Sequence, residues 1–190
     1  MSLQRFAYSL FFTILFTLSS QAAPASYTID PAHSSVQFRI KHFFSKVTGR
    51  FQKFEGSFVV DPDAPDKSQA KATIDVASID TNQPKRDEHL RSADFFDVAK
   101  YPQMTFVTKS WARVAPDEYD VVGDLTLHGV TKPVSLHAKN TGSGAGMQGS
   151  QISGWEVRGT LKRSDFGITT GAPAVGDDVE IEIDIEAKKS

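Results

Sequence analysis

The chain has 190 residues, 39% of them hydrophobic and 23% charged, with a formal net charge of −2, 14 Phe and no Cys. The absence of cysteine excludes a disulfide framework, a thiolate metal site and a lipid-attachable thiol. The near-neutral balance, with Lys and Arg scattered among acids, argues against nucleic acid or another polyanion as partner.

Residues 1–22 carry the first pattern. Arg5 supplies a positive n-region, Phe6 to Leu18 an apolar run, and Ser20-Gln21-Ala22 a small-x-small cleavage site, with Ala23-Pro24-Ala25 as a second candidate. This is the form of a cleaved signal peptide, since the run falls short of the roughly 18 to 20 residues a spanning helix needs. No later stretch is long and apolar enough to span a bilayer. Residues 23–190 are therefore expected as one mature domain, periplasmic or secreted. Losing Arg5 leaves 20 basic against 23 acidic residues, a net of −3, and ten of the 14 Phe stay with the domain.

From residue 27 onward, apolar and polar residues alternate with period two in segment after segment, the mark of half-buried antiparallel strands. Val36, Phe38, Ile40 and His42 alternate with Gln37, Arg39 and Lys41; near the end, Val179, Ile181, Ile183 and Ile185 interleave with Glu180, Glu182, Asp184 and Glu186. Eight strands follow, near 27–43, 47–60, 69–78, 103–114, 118–128, 133–140, 151–163 and 177–187. Phe51 and Phe54 differ in parity, which predicts a bulge or bend near Gln52 or Lys53. Turn chemistry separates the runs, as in DPDAPDKS at 61–68 and TGSGAGMQGS at 141–150. The fold class is all-β, an eight-stranded antiparallel barrel. Alternation places Phe38, Ile40, Phe58, Ile74, Phe106, Leu125, Leu127, Trp155, Val157, Leu161, Ile181 and Ile183 inside it.

One short helix interrupts the alternation, in PKRDEHLRSADFFDVAKYPQMTF at 84–106. Pro84 suits a first turn, Thr81 and Asn82 offer N-cap oxygens, and Asp87 precedes Arg91 by one turn, so a helix near 84–93 is expected. Its apolar stripe is only Leu90 and Ala93, so it should lie across a barrel opening, with Phe95 and Phe96 anchoring its exit.

Motifs of catalysis are imitated rather than present. Gly144 to Gly149 fits G-x-G-x-x-G, but no alternating βα pattern surrounds it. Asp165-Phe166-Gly167 copies a kinase triplet without the other kinase elements. The five histidines, His33, His42, His89, His128 and His137, show no i, i+2 or i, i+4 pair for a metal, and no convincing nucleophile is found. No catalytic residue, metal or cofactor is expected. Arg86, Asp87 and His89 carry three readings. They fix the helix over the barrel end, or Arg86 and His89 bind a polar head group at a cavity mouth, or, least favoured, they are a catalytic centre.

Several pieces in order, YTIDPAHSSVQFRIKH at 27–42, the R-D-x-H-L helix, FFDVAKYPQMTF at 95–106, GDLTLHGVTKPVSL at 123–136 and RSDFGI at 163–168, closely resemble the YceI-like family along nearly the whole mature chain. The resemblance implies a lipocalin-like barrel, usually exported, that holds a polyisoprenoid or similar long lipid in its interior. The wall would then be the inward residues above together with Leu90. Inward glycines, Gly123 and Gly159 among them, suit a narrow tunnel, while the residues alone equally allow a solid core with glycine at strand bends. The leading expectation is an exported carrier or store of a long-chain isoprenoid or other amphiphilic lipid, with roles in stress protection included. A non-catalytic interaction module and an isoprenoid-modifying enzyme are the alternatives. Oligomeric state is open, a homodimer among the options.

Overall fold

The structure, a computed structural model, describes residues 23–190; the signal segment read at 1–22 lies outside them. The fold is the expected closed, antiparallel, eight-stranded barrel with one α-helix. Its single sheet contains β1 (Ala25–Ile29), β2 (Ser35–His42), β3 (Ser45–Phe51), β4 (Phe54–Val60), β5 (Gln69–Asp75), β6 (Ile79–Asp80), β7 (Gln103–Ala115), β8 (Glu118–Leu127), β9 (Val130–Ala145), β10 (Gln151–Lys162) and β11 (Val175–Lys189). The order β1-β4-β5-β7-β8-β9-β10-β11 closes through β1–β11, and β11 also leads on to β2, β3 and β6.

Eleven segments make eight barrel strands because three of those expected are broken in line. The strand read at 27–43 is β1 and β2, both paired to β11, through Ile29↔Ala187 and Ser35↔Asp184. Asp30 caps a 3-10 turn at Pro31–His33 by accepting from the Ala32 N–H, so an Asp-Pro pair bends the chain there. The strand read at 47–60 is β3 and β4. Where a bulge was expected there is a full break at Gln52 and Lys53, whose N–H groups bond instead to the Ser78 carbonyl and hydroxyl, at 3.2 and 3.0 Å. Ser78 ends the 3-10 turn that divides β5 from β6. These breaks lie side by side, so the sheet creases along one line while its backbone groups stay paired.

The helix, α1 (Pro84–Arg91), ends two residues earlier than expected and takes its N-cap from Gln83, whose side chain accepts from the Lys85 N–H, rather than from Thr81 or Asn82. Thr81 is buried and otherwise engaged. Its hydroxyl accepts from Arg86 Nε at 2.7 Å and donates to the Asp87 carboxylate, which also accepts from the Thr81 N–H at 2.9 Å. Asp87 does not pair with Arg91. Arg91 reaches the carbonyls of Ala77 and Ile79, each at 2.7 Å. The polar groups of the helix thus tie it to the β5–β6 turn, because a helix with so thin an apolar stripe cannot hold itself there by packing.

The barrel seam is pinned at the β1–β2 corner. The Asp30 N–H and the Ser34 hydroxyl both bond the Glu186 carbonyl, at 2.9 and 3.1 Å, and Lys188 Nζ lies 2.7 Å from the Asp30 carboxylate. Lys188 first, then His33 and the Ala32 N–H, hold that carboxyl well below the usual carboxylate range. A depressed folded-state pKa gives stability that is complete above the unfolded value, about 4, and is lost as pH falls below it. Asp30→Asn is expected to be less stable than the native chain at neutral pH, and the gap should narrow as pH falls through about 4. Urea unfolding across pH measures this; a gap that does not change with pH would refute it.

Candidate functional site

The two halves of the barrel interior differ. One end is filled by aromatic rings: Trp155 meets Phe58, Trp111 and Tyr119 at centroid distances of 5.8, 6.0 and 5.8 Å, and Tyr27 stacks on Phe58 at 5.2 Å. Phe58, Trp111, Tyr119 and Trp155 are all buried. Toward the end covered by α1 the interior is hollow, with a cavity of about 320 Å3.

All thirteen residues read as wall from the sequence line this cavity. Phe38 and Ile40 come from β2, Phe58 from β4, Ile74 from β5, Phe106 from β7, Leu125 and Leu127 from β8, Trp155, Val157 and Leu161 from β10, Ile181 and Ile183 from β11, and Leu90 from α1. Arg86 also reaches it. His89 does not line it; its Nε2 lies 3.1 Å from the Asp94 carboxylate and its ring meets Phe95 edge-on. Ile181 and Ile183 are only half-buried although they point inward. Their remaining exposure is to the lumen, as expected of a wall rather than of a packed core.

Glycine keeps the lumen open. Phe38 pairs across strands with Gly49, and a Cβ built on Gly49 would lie 2.3 Å from Phe38 Cζ. A Cβ on Gly123 would lie 2.4 Å from Phe106 Cζ. Both rings therefore lie flat on a neighbouring strand instead of crossing the barrel.

The two arginines at the cavity are already engaged. Arg163, buried, donates to the carbonyls of Gly176, Ile168, Thr170 and Val175, at 2.7, 3.1, 2.7 and 3.1 Å. Burial pushes its guanidinium below the ordinary value, and Asp177 partly opposes this. Arg86 Nη2 donates to the Thr81 carbonyl at 2.7 Å. Trp111 Nε1 is buried with no hydrogen-bond partner, whereas Trp155 Nε1 donates to Ser153 Oγ at 2.8 Å.

Sequence reasoning missed several lining residues, Phe51, Met104, Trp111 and Arg163 among them. Trp111 is hidden by a register shift between Thr108 and Ser110, which lets an odd-numbered residue face inward on the strand that carries Phe106. Arg163 sits on a 3-10 turn, Arg163–Phe166, where alternation gives no direction. Among the described residues one cluster, Asp30, His33 and Glu186, has the spacing for a cation, but Lys188 already pairs with its Asp30 carboxylate. Among the described residues, no helix is long and apolar enough to cross a membrane.

Fold and cavity together define a small antiparallel β-barrel with an apolar interior chamber under a short helix. A YceI-like domain model matches residues 27–187, and the chain belongs to that family. It is 44% identical over 179 residues to Protein YceI of Salmonella agona, covering 93% of each chain. Among solved structures, BcnA of Burkholderia cenocepacia superposes with a TM-score of 0.77 at 30% identity, over 83% of this chain and 98% of the other. The YCEI protein of Campylobacter jejuni gives 0.72 at 34%, over 80% and 90%. A polyisoprenoid binding domain from Saccharophagus degradans shares the fold, with a TM-score of 0.63 at 18% identity over 87% and 99%.

Two outcomes follow from the wall. Trp155→Phe breaks the bond to Ser153, while Trp111→Phe removes a donor that has no partner, so Trp155→Phe should destabilise by about 1 kcal/mol more in chemical unfolding. Equal costs would refute this. Gly49→Ala should force the Phe38 ring into the lumen and weaken binding of a fluorescent prenyl lipid, with Phe38→Leu in the same chain restoring it; no rescue would show that the ring does not set the free space.

Proposed function

We propose that the protein binds one long apolar chain, a polyisoprenoid or similar amphiphilic lipid, within the barrel and does not transform it. The observation that carries this reading is the deep barrel cavity, whose wall is apolar and whose arginines are held by main-chain and hydroxyl partners. Each methylene moved from water into such a chamber is worth about 0.8 kcal/mol, so tail contacts alone supply substantial affinity. The polyisoprenoid binding domain from Saccharophagus degradans, which shares the fold, supports the choice of lipid class. Arg86, at the helix end of the cavity, is the proposed contact for a polar head, with His89 farther out at the mouth. Asp87 and Arg86 are engaged with Thr81, an arrangement suited to holding α1 rather than to chemistry.

The proposal extends to location and role. Residues 1–22 would direct export and be removed, leaving a mature barrel in the periplasm or outside the cell that carries or stores its lipid, with protection under stress as one consequence.

Mass spectrometry of lipid extracted from the purified mature protein is the direct test, and recovery of no long-chain lipid would count against the reading. Titration with a fluorescent prenyl lipid adds a second. Phe106→Ala or Trp155→Ala, once shown to be folded, should weaken binding more than Arg86→Ala, because a wall residue contacts the chain while a head group at the mouth stays partly hydrated. Intact affinity in the wall variants with a large loss in Arg86→Ala would place recognition at the head group, and chemical change of the bound lipid would show an enzyme.

A further inference from the structure

We propose that the β2–β3 hairpin is a bilayer-docking finger, whose Phe43 and Phe44 insert into the apolar edge of a lipid membrane and hold the cavity end of the barrel against it. Phe44 is fully exposed and Phe43 is 58% exposed; the other large exposed hydrophobics among the described residues, Val107, Val114 and Met147, stand apart from one another in the sequence. The pair forms the two-residue turn between His42 and Ser45, and Phe43 takes a φ of +49°. Such turns favour Gly, Asn or Asp at positive φ, and a bulky residue there is strained. A turn that accepts both strain and full exposure of two aromatic rings breaks local rules where function is the usual reason.

The finger is held out firmly and at the relevant end. The Phe43 N–H donates to the Ala174 carbonyl at 2.8 Å, and the His42 ring, which meets Phe43 edge-on at 4.9 Å, lines the cavity with Val47 and Val175. A stable protein interface needs roughly 800 Å2 per partner, whereas two Phe side chains offer about 150 to 250 Å2 each. That is too little for a second protein and sufficient for insertion into fluid lipid. Charge at this rim is mostly paired. Lys46 pairs with Glu180 and Lys162 with Asp177 and Asp178, which leaves the single exposed Lys41 beside the finger, so docking is chiefly by apolar insertion and not by attraction to anionic lipid. The cavity reading gives the finger its purpose, delivery of lipid between membrane and barrel, but the docking can be measured without ligand.

The test is co-sedimentation of the delipidated mature protein with phosphatidylcholine vesicles, comparing the native chain with Phe43→Gly/Phe44→Ser, a pair suited to this turn. The variant should melt no lower than the native protein, since strain is relieved. Its partition onto vesicles should fall on the order of tenfold or more, and native binding should hardly change with salt. Neither ring is on the cavity wall, so affinity for a prenyl probe in solution should be unchanged while transfer of the probe from vesicles slows. Absence of native vesicle binding, equal binding by the variant, binding only to anionic vesicles, or a self-association that the variant abolishes would each overturn the finger. Vesicle binding by a protein that takes up no prenyl probe would leave the finger standing and remove the lipid-carrying function.

Discussion

Everything in the barrel depends on one long strand that must satisfy different partners on its two sides. β11 pairs with β10 from Asp178 to Lys188 on one side, while on the other it pairs first with β2 and then, past a corner, with β1. A closed sheet leaves no unpaired edge, but it closes only if the strand meeting the last one can bend to follow it. The Asp30-Pro31 turn provides the bend, and the Glu186 backbone receives the corner through Asp30 and Ser34. The adjacent breaks at Gln52 and Lys53 and at Val76–Ser78 repeat the bend in the next two strands, so that strain at the seam is shared across a crease and not concentrated at one peptide.

Closure fixes how much space the interior has, and side-chain size then decides whether it is filled. At one end the rings of Trp111, Tyr119, Trp155 and Phe58 meet edge to face and occupy it. At the other, Gly49 and Gly123 let Phe38 and Phe106 lie against the wall. The chamber is therefore shaped by where side chains are withheld, and its inward isoleucines remain half-exposed to the lumen. Apolar wall area not covered by the chain's own side chains contributes no burial to folding. A ligand that covers it binds the native state alone and so raises stability by mass action, which couples folding to occupancy.

Much of this was legible in the residues. Period-two alternation identified eight strands and twelve lining positions, with Leu90 added from the helix, because a slip of one residue would have turned Glu180, Glu182 and Asp184 into the lumen. Of the three breaks, the one at Gln52 and Lys53 was foreshadowed, as a bulge or bend, by the change of parity between Phe51 and Phe54; the one that Asp30-Pro31 announces and the one at Val76–Ser78 were not read, because alternation alone does not mark where a strand bends. The helix was found, but its cap was misassigned. Thr81 has the chemistry of an N-cap and is drawn instead into a buried bond with Asp87, a tertiary contact that outweighs the local preference. Trp111 escaped because a register shift reverses parity midway along β7. Arg163 escaped because its role lies in four carbonyls, two from the loop after it and two from the start of β11, which no periodicity describes.

Three arginines, Arg163 buried and Arg86 and Arg91 half-buried, show how the covered end can be ordered without making the lumen polar. A guanidinium facing the cavity alone would present an unpaired charge to an apolar chain, at a cost of several kcal/mol. Arg163 instead directs its donors at the main chain of 168–176, and Arg86 and Arg91 direct theirs at residues 77–81, so each charge fixes a segment around the rim while the cavity side stays largely apolar. Removing Arg163 would free four carbonyls at once, removing Arg91 two and removing Arg86 one carbonyl and a hydroxyl, each loosening the structure that roofs the cavity. With these arginines engaged in this way, the proposed lipid binding would leave discrimination among ligands mainly to the shape of the wall. Length and branching of an apolar chain would then matter more than the charge it carries, with its polar end where water can still reach it.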